Sequence, residues 1–206
     1  MDKVKHAHIE IFRLLKEKRR ELESIRSRNE TLADKWSSML GILLPIQTTV
    51  AVQEGFGEGQ DGLLHLSKAI SDEMSQDPTF KKEVNERWAW TYATAFGVSP
   101  SKNLTKDQSR KLFFDISDQM TALDFLDQVS NRFLEFDGDL IRKRKILLLE
   151  LIFPLHVKVM KEHNLVGDEG YISGQKALMD CASDADITRR YGEVVAKVFG
   201  AAGLLD

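Results

Sequence analysis

The chain has 206 residues, 42% hydrophobic and 30% charged, with 29 Lys and Arg against 32 Asp and Glu for a net charge of −3. Such a length and composition can bury a core and exclude wholesale disorder, while the near-neutral balance argues against a dedicated nucleic-acid or membrane-surface protein. The single cysteine, Cys181, excludes an intrachain disulfide framework and a cysteine-rich zinc site.

The first predicted element is a helix over 3–29. Val4, His8, Ile11, Leu15, Lys18, Leu22, Ile25 and Asn29 alternate by four and three, which is heptad spacing. Two readings fit this stripe: a surface helix laid on the body of the protein, or a seam for a partner or a second copy. Lys16 to Arg20 lie beside Glu17, Glu21 and Glu23 and read as a solvated face. A second helix over 31–54, capped by Asn29 or Thr31, should kink at Pro45. The glycine-rich stretch 55–62 is expected to turn before a third helix over 63–75. Asp77-Pro78 is a cap followed by proline at the first helical position, so a fourth helix starts there. It carries Trp88, Tyr92 and Phe96 on one face, either as a core stripe or as the wall of a ligand site.

A loop over 97–103 precedes a helix capped by Thr105 and containing Leu112, Phe113 and Ile116. Another helix covers 121–136, and Asp137-Gly138-Asp139 turns the chain. Next come Arg142, Lys143, Arg144 and Lys145, a basic patch able to meet phosphates or simply to end a charged helix. The apolar run that follows is interrupted by Glu150, Pro154 and His156. It is too short for a membrane span and reads as a buried helix kinked at Pro154. A turn over 167–170 and helices over 173–181 and 186–199 complete the chain. Strand signals are nearly absent, so the expected fold is an all-α compact bundle of seven to nine helices. The N-terminal amphipathic helix (1–30) is expected to stand beside one globular domain (31–206), with possible sub-lobes at 31–120 and 121–206. With no apolar signal stretch at the N-terminus, the expected location is cytoplasmic, with no membrane association.

Catalytic motifs are missing. No HExxH, ExxH, GxSxG, GxGxxG or phosphate-binding loop occurs, and no catalytic residue, metal ligand or cofactor can be named. Cys181 reads as a buried thiol.

The turns share a frame. In 57–68, Gly62 falls at position six and Leu64 at eight; in 165–176, Gly170 falls at six, Ile172 at eight and Ser173 at nine. In 97–108, Leu104 and Thr105 fall at eight and nine, with Lys102 in place of glycine. With the aromatic helix leading into Ala95-Phe96-Gly97-Val98, these stretches resemble the EF-hand superfamily, and more narrowly the sarcoplasmic calcium-binding and luciferin-binding proteins. The resemblance implies pairs of helix-loop-helix units with an extra N-terminal helix. Ligand positions one, three and five read Gly57, Gly59, Asp61; Gly97, Ser99, Ser101; and Leu165, Gly167, Glu169. Position twelve is Lys68, Gln108 or Lys176, where calcium needs a carboxylate, so the loops are expected to bind little calcium.

Three functions follow as expectations. The first is a non-enzymatic adaptor that meets a protein partner, or itself as a dimer, through Val4, Ile11, Leu15, Leu22 and Ile25. The second is a binder of a small hydrophobic ligand in a cavity lined by Trp88, Tyr92, Phe96, Phe113 and Phe153. The third, disfavoured by net charge, is nucleic-acid binding through Arg142 to Lys145.

Overall fold

Residues 2–28, 30–100, 102–182 and 184–205 are described by a computed structural model; Asn29 and Ser101, which enter the cap and loop expectations, lie outside these. Helix α1 (Lys3–Glu17) starts where the Asp2 carboxylate accepts the Val4 N–H at 2.8 Å. It buries Ala7, His8, Ile11 and Leu15, then breaks at Lys18, and α2 (Arg19–Arg26) continues with Leu22 and Ile25 inside. The expected single helix over 3–29 is therefore two segments.

Helix α3 (Leu32–Gln53) opens on a capping box between Thr31 and Asp34 and holds Pro45 within it. Its buried residues, from Met39 to Ala51, share one broad face, with Gly41, Pro45, Thr49 and Val52 exposed opposite. Helix α4 (Gly59–Gln76) starts four residues earlier than predicted. Asp77 caps α5 (Pro78–Phe96), accepting from Thr79 and Phe80. Thr105 and Gln108 form a second capping box for α6 (Lys106–Thr121), and α7 (Leu123–Phe133) follows.

One long rod then runs from Leu140 to Glu162. It comprises α8 (Leu140–Ile146), capped by Asp139, a π-helical turn (Leu147–Ile152) and α9 (Phe153–Glu162). Pro154 follows the π turn and has no N–H to donate to the carbonyl four residues back. The Phe153 N–H reaches back five residues to the Leu148 carbonyl. Helix α10 (Gly167–Cys181) absorbs the expected 167–170 turn into its first turn, and Asp184 caps α11 (Ala185–Ala201). No strand occurs among the described residues. The described residues form eleven α-helical segments and one π-helical turn in an all-α fold, with the segments beyond the expected seven to nine arising where the first helix breaks at Lys18 and at the π turn.

The chain repeats one pattern twice. The buried residues of α1, Ala7, His8, Ile11 and Leu15, have the spacing of Leu112, Phe113, Ile116 and Met120 in α6, which also buries Ser109 and Ser117, and a break and a short helix follow each. Helix α3 corresponds to the α8–α9 rod. Pro45 and Pro154 each precede by ten residues a left-handed residue, Gly55 (φ 66°) or Asn164 (φ 60°). The next residue donates back into the helix: Phe56 N–H to the Ala51 carbonyl at 2.8 Å, Leu165 N–H to the Met160 carbonyl at 2.9 Å. Helices α4 and α10 begin with the same Gly-x-x-Gly, and α5 and α11 with the same aspartate cap. Thr31 lies fourteen residues before Pro45 and Asp139 fifteen before Pro154, so the second rod carries one extra residue, which the π turn accommodates.

The two copies of the pattern meet in 97–105, and α1 packs against α3, α4 and α5. One continuous buried cluster runs through both units, and Lys35 on α3 pairs with Asp168 on α10 at 2.7 Å.

Candidate ligand cavity

A cavity of about 420 Å³ lies among α6, α10 and α11, closed by α4 and by the π turn. Helical spacing builds its walls. Ile187, Tyr191, Val194, Val195 and Val198 share one face of α11, and Phe113, Ile116, Ser117 and Met120 share one face of α6. Leu148 and Ile152 enter from the π turn, which re-aims side chains at the place where the rod meets the cavity. Ser67 and Ser71 of α4 also line it.

Eight of the 21 lining residues carry polar groups, among them Ser71, Ser117 and Gln175. Ser67 Oγ donates to the Leu63 carbonyl at 2.7 Å, and Thr188 Oγ1 to the carbonyls of Ala182 and Asp184 at 3.0 and 3.1 Å, so both hydroxyl protons are used within the chain. Arg144 differs. Its Nε and Nη1 are shut off from solvent and have no hydrogen-bond partner among the described residues. Its guanidinium lies over the Phe199 ring at 5.6 Å. Burial lowers its pKa, an effect that nearby Tyr191 opposes. Burial also raises the Tyr191 pKa, although 51% of that residue's surface remains open. Tyr191 lines the cavity and is half exposed, so it marks the mouth. His156 is held neutral at pH 7 by burial, its pKa pushed down to about 4. No Asp or Glu lines the cavity.

The repeat explains why the second unit is hollow. Arg144 is five residues after its cap, as Trp36 is after Thr31; Val195 and Trp88 are each eleven residues after theirs, and Phe199 and Tyr92 fifteen. In the first unit Trp36 stacks on Tyr92 at 6.0 Å, and Trp88 stacks on Tyr92 at 6.0 Å. In the second, a guanidinium and a valine stand where two indoles fill the first.

Of the five aromatics expected to line a cavity, only Phe113 does so. Tyr92, Phe96 and Phe153 surround Trp36 instead, with centroids 6.0 to 6.2 Å away, and Trp88 stacks on Tyr92 behind them; they form packed interior. The partner stripe is also used internally. Ile11, Leu15, Leu22 and Ile25 are no more than 2% exposed, and the half-buried Val4 packs against the Met74–Phe80–Val84 cluster. Helices α3, α4 and α5 cover Ile11, Leu15, Leu22 and Ile25. The basic patch is divided as well: Arg142 is exposed, Lys143 reaches the Gly203 carbonyl at 3.3 Å, Lys145 is half-buried and Arg144 enters the cavity. Four consecutive helical residues point in four directions.

In both glycine frames the helix begins at position three, Gly59 or Gly167, so Asp61 and Glu169 sit in first helical turns. Lys68 and Lys176, at position twelve, pair with Asp72 and Asp180 at 2.8 and 2.5 Å. Among the described residues no group of three or more His, Cys, Asp or Glu could hold a metal ion, and no helix is long and apolar enough to cross a membrane. Cys181 is buried, and its thiol pKa is pushed up to about 11 by burial, away from nucleophilic character.

No protein-family model, curated protein or solved structure matches the chain.

Proposed function

We propose that the chain is a binding protein for a small apolar molecule, held in the cavity among α6, α10 and α11. One observation carries this reading: a mostly apolar cavity of about 420 Å³ with polar groups among its lining residues, the size and character of a small-ligand site. The internal comparison supports it, since the same fold fills the matching positions of its first unit with Trp36 and Trp88. The adaptor and nucleic-acid expectations have less to stand on, because the α1–α2 stripe is packed within the chain and Arg142 to Lys145 share no face.

The test uses a neutral fluorescent probe, N-phenyl-1-naphthylamine. Its emission should rise and shift to the blue on mixing with the protein, with an affinity of about micromolar. Val195→Trp gives the second unit the residue its counterpart carries and should abolish the enhancement while leaving the far-ultraviolet circular dichroism unchanged. A wild-type protein without enhancement, or a folded variant that binds the probe as tightly as wild type, contradicts the proposal.

A further inference from the structure

We infer that the occupant of this cavity is an amphiphile with one anionic head, a carboxylate, seated against Arg144 at the mouth with its apolar tail inside. The inference rests on the cavity reading above and gives it a ligand class.

A cation removed from water without a partner is disfavoured, and fixed N–H groups closed to solvent are costly to leave without acceptors. Arg144 is half-buried, its Nε and Nη1 have no hydrogen-bond acceptor among the described residues, and the Phe199 ring 5.6 Å away is a weaker partner than a carboxylate. Ordinary packing does not account for this. The chain contains 32 acidic residues, yet none lines the cavity. The matching site of the first unit holds the uncharged Trp36.

The charge balance sets the head group. His156 is neutral at pH 7, so the cavity contributes a single positive charge. Ser67 and Thr188 already donate to backbone carbonyls. The unengaged donors that remain beside Arg144 include the Tyr191 hydroxyl, which keeps its proton, and a planar guanidinium matches a carboxylate. Exposure sets the orientation. Tyr191 is 51% open at the mouth, whereas Ile116, Ile187 and Val198 are at most 4% exposed and receive the tail.

The test is a calorimetric titration of the whole chain with decanoate and with decan-1-ol, which share a tail and differ in the head. Wild type should prefer decanoate by at least about tenfold, the value of one charge-assisted contact. Arg144→Met should bind both equally. It should also melt at a higher temperature than wild type without ligand, a change that loss of an ordinary structural residue would not give. Equal binding of the two compounds by wild type overturns the anionic head and leaves the cavity reading intact. So does a folded Arg144→Met that keeps the preference. Binding of neither compound overturns the cavity reading itself.

Discussion

Gly62→Ala should cost about 3 kcal/mol and lower the melting temperature by roughly 6–12 °C, and Gly170→Ala should behave alike. A Cβ at Gly62 would stand 2.1 Å from the Gly57 carbonyl oxygen and 2.5 Å from its carbon; at Gly170 it would stand 2.5 Å from the Leu165 carbonyl carbon. Both obstacles are backbone, so neither can swing aside as a flexible side chain would. In each unit the segment before the helix folds back over the first turn, and the absence of a side chain at the fourth helical residue permits this approach. Gly41→Ala and Gly192→Ala are the controls. A Cβ at either position would meet nothing within 4 Å, and both sit inside helices, so each should gain about 0.5–1 kcal/mol. Thermal melts followed by circular dichroism decide it. Gly62→Ala melting with wild type would show that the fold-back is not needed.

The second large effect concerns acid. His8 is 3% exposed, its Nε2 has no partner among the described residues, and its ring meets Phe80 edge-on at 5.7 Å. Burial, aided by the charge of Arg87, pushes its pKa from 6.5 down to about 4. Between those values the unfolded chain binds a proton that the folded chain refuses. Stability is therefore complete above pH 6.5 and falls as pH drops toward 4, by about 3 kcal/mol for this residue. His156 acts in the same direction and window. Asp77, Asp115 and Asp184, held below the usual carboxylate range chiefly by Lys5, Lys111 and Arg110 respectively, lose their contributions only below pH 3.8 and do not obscure it. The second unit holds Phe113 at the position of His8, so His8→Phe is the natural variant. Between pH 7 and pH 4.5 the urea midpoint should fall about half as far for His8→Phe, in which His156 still titrates, as for wild type; an equal fall would contradict the assignment.

Much of the fold is legible in the sequence because capping chemistry is local. Thr31, Asp77 and Thr105 have the composition of caps, and each accepts the backbone N–H that such a residue should. The α1 stripe is legible as a stripe, but its covering is not: periodicity shows that a face is buried and is silent on whether the same chain buries it. The run Arg142 to Lys145 reads as a patch only in one dimension, because a helix turns about 100° per residue and carries Arg144 inward. The cavity is illegible for a further reason. A void is made by what is missing, here a valine where the other unit has a tryptophan. A signal is nevertheless present. Gly-Gln-Asp-Gly-Leu-Leu-His-Leu-Ser-Lys-Ala-Ile (59–70) and Gly-Asp-Glu-Gly-Tyr-Ile-Ser-Gly-Gln-Lys-Ala-Leu (167–178) resemble each other. Aligning those two segments pairs Trp36 with Arg144.

Methyl chemical shifts on adding decanoate test the binding site most directly. The account predicts that the largest changes fall on Ile116, Ile187, Val195 and Val198, while Leu22, Ile25 and Val50 stay in place. Changes gathered on α1 and α2, or spread evenly over the core, would contradict it.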